Sequence, residues 1–220
     1  MRLTATLFLF PLVFLAACAT TPPYPRDLDA RLATYAREAA CCDDPAQFSY
    51  AELPAAGSLD FVIGSANPAF EFQSGMSHFA AFRLPDTGEA YRVRIKSYFD
   101  GPEPPDGSIF YPVLAMMDET YIVTRVSNLD NLALDTALAT PGGRSGLAVT
   151  APFDPNVTRE RYLVVFTPAV LLGAAPDERR DGDVLTGPTL DWLDRRGRGV
   201  VTPSPFGRLS ISIAPIAPPG

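Results

Sequence analysis

The sequence predicts a mainly β protein, with a single β-sandwich domain and one N-terminal amphipathic helix. Short runs in which apolar and polar residues alternate recur at even spacing, and turn-forming Gly, Pro and Asp residues separate them. No helical pattern alternates with these runs, which argues against a doubly wound parallel sheet. The pattern does not set the strand order, so jelly-roll and immunoglobulin-like topologies both remain open.

The chain opens with the features of a signal peptide. A positive charge at Arg2 precedes an apolar run over residues 7–17, which is too short to span a bilayer and ends in small residues. The stretch LAAC at 15–18 resembles the lipobox of bacterial lipoproteins, in which a peptidase cuts before the cysteine and the sulfur is acylated. We therefore predict a lipoprotein signal peptide over 1–17 and a membrane anchor at Cys18, because several acyl chains hold a protein stably on a bilayer.

The cleavage site has a second interpretation. Ala17, Cys18 and Ala19 also fit the small-x-small pattern of ordinary secretory cleavage, which would release a soluble periplasmic protein that starts at Thr20. In the lipoprotein interpretation, Ala19 in place of an aspartate resembles the sorting pattern of outer-membrane lipoproteins. The expected location is therefore the periplasmic side of the outer membrane, with a soluble periplasmic protein as the alternative.

A proline-rich tether and a helix follow. Residues 18–26 contain three prolines, which remove backbone donors and favour extended geometry. Apolar residues then recur at spacings of three and four, namely Leu28, Leu32, Tyr35, Ala36 and Ala39. This spacing predicts a helix over residues 27–40, and Pro45 ends the segment because it disfavours helical geometry at Asp44. The helix and the corner AACCDDP together form the predicted segment 27–44.

The β domain is predicted over residues 45–220. In its clearest strand, Tyr91 to Phe99, apolar or small residues alternate with Arg92, Arg94, Lys96 and Tyr98. The other predicted strands are Leu59 to Ile63, Ala69 to Phe72, His78 to Leu84, Ile109 to Met116, Tyr121 to Val126, Leu147 to Thr150, Tyr162 to Thr167 and Leu209 to Ile213. Residues 168–205 predict long loops with one helical turn around Leu190 to Asp194.

Composition and charge argue against several functions. The chain has 25 acidic and 18 basic residues, and its net charge of -7 argues against a nucleic-acid partner, which needs excess Lys and Arg near the phosphates. The only histidine is His78, and the neighbouring Ser77 would point to the opposite face of a strand, so no Ser-His-Asp nucleophile is predicted. No carboxylate pair stands out for glycoside hydrolysis. We expect a non-enzymatic protein without a cofactor.

Two clusters do not have the pattern of metal sites. Cys41 and Cys42 are adjacent, whereas zinc sites use a two-residue gap that lets both thiolates face one ion. The run Asp177 to Asp183 has four acidic residues but contains Arg179 and Arg180, and it lacks the order of an EF-hand loop. The sequence therefore predicts no metal site.

The two adjacent cysteines remain alone once Cys18 carries lipid. In an oxidising compartment they can pair with each other or with another chain. Neighbouring Cα atoms lie about 3.8 Å apart, less than the roughly 4.4 Å minimum usual for a disulfide, so a bridge between Cys41 and Cys42 closes a small strained ring. We predict this vicinal disulfide as a rigid corner at the helix exit, with two partly buried thiols as the alternative.

A candidate ligand surface lies on the outward face of the clearest strand. The row Arg92, Arg94 and Lys96 presents positive charge that could meet an anionic partner. Tyr98 on the same face, and Trp192 in a charged loop, are the aromatic candidates on which a sugar ring could stack. The alternative interpretation is the ordinary solvent-exposed face of a half-buried strand.

Five apolar strand patterns occur in a recognisable order. They are FAAFRLP at 79–85, the strand at 91–99, FYPVLAMMD at 110–118, RYLVVFT at 161–167 and FGRLSISI at 206–213. Together they resemble the maltose operon periplasmic protein family over roughly residues 47–213. The resemblance implies an accessory role in maltose or maltodextrin uptake, through glucan binding or contact with an outer-membrane porin, and implies no catalytic residue. The alternative is a structural or protein-interaction module of the envelope without a sugar ligand.

Overall fold

The computed structural model describes residues 28–100, 108–135, 144–173 and 202–216. Within these ranges thirteen strands form a sandwich, and the predicted mainly β fold is confirmed. The strands are β1 (Tyr50–Glu52), β2 (Gly57–Ile63), β3 (Ala69–Phe72), β4 (Gly75–Arg83), β5 (Tyr91–Tyr98), β6 (Ser108–Ile109), β7 (Val113–Asp118), β8 (Val123–Val126), β9 (Ala133–Asp135), β10 (Gly146–Phe153), β11 (Glu160–Phe166), β12 (Thr202–Pro203) and β13 (Gly207–Pro215). The helical elements are α1 (Leu28–Tyr35), α2 (Ala169–Gly173) and 3-10 turns at Pro45–Gln47 and Leu129–Asn131.

Two large sheets make up the sandwich. The first sheet has the strand order β1-β4-β11-β7-β8, with β3 paired to β4, and β1 runs parallel to its neighbour while the other described pairs are antiparallel. The second sheet has the order β2-β13-β5-β10-β9 and is antiparallel. Strands β6 and β12 form a small parallel ribbon. The chain therefore crosses repeatedly from one sheet to the other, as sandwich folds do.

The main core lies between the two sheets. In β5, Val93 and Ile95 are fully buried and alternate with outward-facing Arg92 and Arg94, which confirms the predicted period of two. The first sheet contributes Phe82, Leu114, Met116, Leu163 and Val165 to this core. Removing these apolar side chains from water, at roughly 25 cal/mol per Å², is the main favourable contribution to folding.

The first sheet is apolar on both faces. Along β11, Leu163 and Val165 enter the core. The alternate residues Tyr162, Val164 and Phe166 point outward, yet each is at most 6% exposed. A strand that is buried on both faces carries apolar residues at nearly every position. For this reason, apolar and polar residues do not alternate in the sequence YLVVF at 162–166. Strand β3 and the segment before β1 cover part of this outer face.

Helix α1 is shorter than predicted. It ends at Tyr35, whereas the predicted helix runs to Ala40. Two of the amides that follow bond to carbonyls three residues back, at 3.1 Å, which is the tightened geometry of a helix end. The chain then leaves the helix, and the Cys41 amide donates to the Ala69 carbonyl at 2.8 Å. This long-range hydrogen bond therefore outweighs the helical sequence pattern of residues 36–40.

A buried arginine, rather than an apolar stripe, attaches α1 to the sandwich. Arg31 is 2% exposed, and its Nη1 atom donates to the hydroxyl oxygens of Ser108 at 3.1 Å and Ser204 at 3.0 Å. The same atom lies 3.4 Å from a carboxylate oxygen of Asp100. These partners compensate the cost of burying a charge. Ala39, which was expected on the apolar face of a longer helix, is exposed.

Short elements account for the other differences from the prediction. The run predicted as one strand from Ile109 to Met116 is split into β6 and β7, with Pro112, which has no amide donor, between them. Strands β1, β9 and β12 span two or three residues each and are absent from the prediction. The helical turn predicted at Leu190 to Asp194 lies outside the described residues. None of the described helices is long and apolar enough to cross a membrane.

Candidate functional site

A groove of about 480 Å³ lies on the outer face of the first sheet. Its floor consists of outward residues of β7 and β11, namely Val113, Ala115, Met117, Val164 and Phe166. The antiparallel register places Val113 opposite Phe166 and Ala115 opposite Val164, so the floor residues form two adjacent rows. Central strands hold side chains in place more firmly than loops do, which makes this floor a rigid base for a site.

Three phenylalanines form one side of the groove, the aromatic wall: Phe48, Phe70 and Phe72. Phe72 on β3 stacks on the floor residue Phe166, with ring centroids 4.2 Å apart. Phe70 meets Phe72 and Phe48 edge to face, at 5.1 and 4.9 Å. Phe48 follows the 3-10 turn Pro45–Gln47, whose geometry sets its position. The wall therefore combines a short strand with a turn that lies close to the cysteine pair.

The edge strand β8 forms the opposite side. Val123 and Val126 line the groove and are 50% and 53% exposed. Strand β8 pairs with β7, and no strand among the described residues pairs with its other edge. Ile122, just before β8, is 64% exposed. Apolar surface therefore continues from the groove onto the edge of the sheet.

Polar side chains form the rim of the groove. They are Glu71, Gln73, Ser74, Ser127 and Asn128. Glu71, Gln73 and Asn128 are exposed, and the Ser74 hydroxyl has no hydrogen-bond partner among the described residues. Carboxylate, amide and hydroxyl groups supply both donors and acceptors. An apolar floor with a few polar groups at its rim is the usual character of a small-molecule site.

A tyrosine cluster, made of Tyr50, Tyr121 and Tyr162, lies beside one end of the floor, where Tyr162 pairs with Met117 in the register of the sheet. The Tyr162 ring is stacked on Tyr121 at 4.7 Å and lies 4.4 Å from Tyr50, with the Arg83 guanidinium 5.2 Å from its centre. Burial, followed by the two neighbouring tyrosines, raises the pKa of Tyr50. The hydrogen bond from Tyr162 raises the pKa of Tyr121. The hydroxyls of Tyr50 and Tyr121 therefore stay protonated at neutral pH.

The structure pairs two residues of the predicted ligand surface, Arg94 and Lys96, with one aspartate. The Lys96 Nζ atom lies 3.1 Å from Oδ2 of Asp135 on β9, and Arg94 pairs with the same oxygen. Burial raises the pKa of Asp135, but hydrogen bonds from Arg94 and Lys96 outweigh it and hold the pKa below its usual value. The Lys96 ammonium also lies 5.4 Å from the centre of the Tyr98 ring, and the Tyr98 hydroxyl donates to Ser210 at 2.9 Å. These groups already have partners within the protein.

A polar cleft of about 420 Å³ adjoins this row on the second sheet. Its polar lining consists of Arg94, Asn131, Asp135 and Thr150. No aromatic residue lines it among those the structure describes, and two of its charged groups are paired with each other. Arg92, predicted as part of the surface, is exposed on the same strand but does not line the cleft.

Cys41 and Cys42 are joined by a disulfide in the structure, with their Cα atoms 3.8 Å apart. Cys42 packs against the apolar cluster on the outer face of the first sheet, while the Cys41 amide is bonded to Ala69. The predicted corner therefore lies where the N-terminal segment meets the groove. Its redox state in the mature protein stays a prediction. Cys18 and Trp192 lie outside the described residues.

The histidine is a buried strand residue. His78 on β4 is fully buried, and its Nδ1 atom lies 2.8 Å from the Asn67 carbonyl oxygen. Its Nε2 atom has no hydrogen-bond partner among the described residues and lies 3.9 Å from a Glu38 carboxylate oxygen. The Ser77 hydroxyl donates to the Thr167 carbonyl at 2.7 Å rather than to the imidazole. Within the described residues, no group of three or more His, Cys, Asp or Glu could hold a metal ion.

The groove is not among the sites predicted from the sequence. The unbroken apolar runs at 113–117 and 162–166 are the feature that points to it, because they indicate strands buried on both faces. Phe70 and Phe72 lie two residues apart on a predicted strand, but Phe48 and the floor residues are far from them in the chain, so local spacing does not reveal the groove. No model of a known protein family matches this chain, and a search of curated proteins finds no match.

Proposed function

We propose that this protein is a non-enzymatic envelope lipoprotein, anchored through Cys18, with an accessory role in maltodextrin uptake, and that it binds an α-glucan in the groove. The lipobox at 15–18 supports the anchor, and the family resemblance over roughly residues 47–213 supports the uptake role. The groove on the first sheet supports a binding function. The location that follows is the periplasmic side of the outer membrane.

The observation that carries the proposal is an apolar floor with an aromatic wall on one side and polar groups at the rim. A sugar ring presents C–H groups on its faces and hydroxyls at its edges, so it needs both kinds of partner. Phe70 and its neighbours suit the faces, while Gln73 and Asn128 suit the hydroxyls. The volume of about 480 Å³ lies within the usual range of small-molecule sites. The polar cleft on the second sheet offers no comparable ring.

Titration calorimetry with maltodextrins of defined length tests the proposal. We expect saturable binding, and we expect Phe70→Ala to weaken it about tenfold, the equivalent of one lost stacking contact. Thr150→Ala is the matched control, because Thr150 is an exposed residue of the polar cleft. The absence of heat with every maltodextrin would contradict glucan binding. Loss of binding in Thr150→Ala alone would move the site to the second sheet.

The second candidate is a protein-interaction module of the envelope. It is favoured by the unpaired outer edge of β8 and by exposed Ile122, Val123 and Val126 beside it. Such an edge suits an extended segment of a partner protein, such as a loop of an outer-membrane porin, that adds as a further strand. The lining of the adjoining groove carries Glu71 as its one charged residue among those described, so the segment would be apolar with basic rather than acidic flanks.

Binding of the purified maltodextrin porin, measured by surface-immobilised kinetics, tests this candidate. Replacing Val123 and Val126 by Lys adds charge at the edge without touching the core, and we expect it to abolish porin binding. Val157 is exposed, does not belong to β8 and does not line the groove, so Val157→Lys is the control. Equal binding by all three proteins, or none by the unmodified protein, would contradict a porin contact at β8.

The membrane anchor has its own test. Intact-mass analysis of the membrane fraction should show a diacylglyceryl adduct on a chain that begins at Cys18. A soluble chain that begins at Thr20 would contradict lipidation and favour ordinary secretory cleavage.

A further inference from the structure

The Cys41–Cys42 disulfide lies between two attachments of the N-terminal segment. On one side, the Cys41 amide donates to the Ala69 carbonyl at 2.8 Å, next to the start of β3. On the other side, Cys42 packs against the apolar cluster that contains Phe48. Pro45, three positions after Cys42, lines the groove. The bridge therefore adjoins a wall of the groove through a very short stretch of chain.

The two sulfurs differ in surroundings. Cys41 is an exposed residue, whereas Cys42 is half-buried against the apolar cluster. A reductant in solution can therefore approach the bridge from the side of Cys41. Accessibility is the first requirement for thiol–disulfide exchange.

The bridge has a local rather than a global effect on the chain. A link between adjacent residues closes so short a loop that it restricts the unfolded chain little, so it contributes little to overall stability. In the folded protein it restricts the backbone of Cys41 and Cys42, which otherwise have more conformational freedom. Hydrogen bonds within residues 43–50 hold the next turn: the Gln47 side chain accepts from the Asp43 amide at 3.0 Å, the Asp44 carboxylate accepts from the Ala46 amide at 2.7 Å, and the Tyr50 hydroxyl donates to the Pro45 carbonyl at 2.8 Å.

We propose that the Cys41–Cys42 bridge is a thiol–disulfide exchange site for a dithiol reductant, and that its reduction loosens the turn at Pro45–Gln47 that forms part of the groove wall. This inference does not depend on the identity of the groove's ligand. It assigns the cysteine pair a chemical role at the joint between the N-terminal segment and the β domain.

The exchange proceeds in two steps. A thiolate of the dithiol attacks Sγ of Cys41, the bond between the two cysteine sulfurs breaks, and its electron pair leaves on Sγ of Cys42, which takes a proton. The second thiolate of the reductant then attacks its own sulfur in the mixed disulfide, and Cys41 leaves as a thiolate and is protonated. The protein gains two electrons and two protons, and the dithiol is oxidised to its disulfide.

The test combines thiol counting with hydrogen exchange under native conditions, with dithiothreitol as the dithiol. We expect two thiols to appear without unfolding, and exchange of amides in residues 41–47 to become about tenfold faster, because reduction frees the local backbone. Exchange in β13 should not change. Reoxidation should restore the original rates.

A variant with Cys41→Ser and Cys42→Ser separates the loss of the bridge from other effects of the reductant. It should match the reduced protein in hydrogen exchange, with or without dithiothreitol. Two outcomes would overturn the proposal. One is a bridge that resists dithiothreitol until the protein is denatured. The other is exchange in residues 41–47 that stays the same in the oxidised, reduced and serine forms.

Discussion

The ring of Phe72 lies nearly parallel to the ring of Phe166, with centroids 4.2 Å apart and planes 10° apart. Phe72 belongs to β3 and Phe166 to the end of β11, so the stack holds the short strand over the outer face of the first sheet. Strand β8 stands on the other side of the same face. The space between the two is the groove, and both stacked rings line it.

Truncation of Phe72 tests the role of the stack. We expect Phe72→Ala to lower the free energy of unfolding by about 2 kcal/mol, because the ring is half-buried and pairs with another aromatic ring. Phe72→Leu keeps apolar volume without the stacked ring and should cost about half as much. Urea unfolding measures both, and equal stability of all three proteins would contradict a structural role for the stack.

Arg31 gives a prediction for the N-terminal segment. Arg31→Ala removes the buried guanidinium that bonds to Ser108 and Ser204 and pairs with Asp100, so we expect a loss of about 3 kcal/mol in the free energy of unfolding. Arg37→Ala removes an exposed arginine just after the same helix and should stay within about 0.5 kcal/mol. If thermal unfolding shows similar small effects for both, α1 is not fastened by Arg31.

The acid dependence of stability follows from Asp135. Its folded pKa lies below the unfolded value, so its stabilisation is present above about pH 4 and is lost as the pH falls through the folded pKa. Asp135→Asn should therefore cost about 1 kcal/mol at pH 7, a modest value because Arg94 is partly exposed, and progressively less as the pH falls through the folded pKa of Asp135. Asp60→Asn, at an exposed position of the same sheet, controls for net charge. A cost that does not change with pH in urea titrations would contradict this ion pairing.

Two glycines provide a matched pair for backbone conformation. Gly75 and Gly88 both have positive φ, at 99° and 69°, but a Cβ on Gly75 would lie 2.8 Å from the Cβ of Ala169 whereas a Cβ on Gly88 meets nothing within 4 Å. Gly88→Ala should cost about 1 kcal/mol through backbone strain alone. Gly75→Ala should cost about 3 kcal/mol, since the clash adds to the strain. If both variants lose the same free energy of unfolding in chemical denaturation, α2 moves away from the added Cβ without an energetic penalty.

The elements with strong local patterns were predictable from the sequence. Strand β5 alternates over eight residues because one face enters the core, and β3 occupies the predicted residues 69–72. Strands β1 and β9 were not predictable, because three residues give no measurable period and their pairing depends on β4 and β10. The end of α1 was not predictable for a related reason. The hydrogen bond from the Cys41 amide to the Ala69 carbonyl joins residues that are far apart in the sequence, and the spacing of apolar residues in a helix gives no information about such a contact.

The candidate site was less predictable than the fold. The positive charges of Arg94 and Lys96 were evident from the sequence. Their partner Asp135 lies on β9, which the sequence does not predict. The groove combines β7 and β11 with Phe48 and β3, which come together only in the folded sheet. The unbroken apolar runs of β7 and β11 indicate that the second face of their sheet is covered. They do not indicate which segment covers that face or how much of it remains open.

A titration of isotope-labelled protein with a maltodextrin, followed by two-dimensional amide NMR, tests glucan binding in the groove most directly. We expect saturable shifts at Ala115 and Val164 on the floor and at Asn128 on the rim. We expect unchanged signals at Ala133 and Thr150, which line the polar cleft of the other sheet. Spectra that stay the same throughout, or shifts confined to Ala133 and Thr150, would contradict glucan binding in the groove.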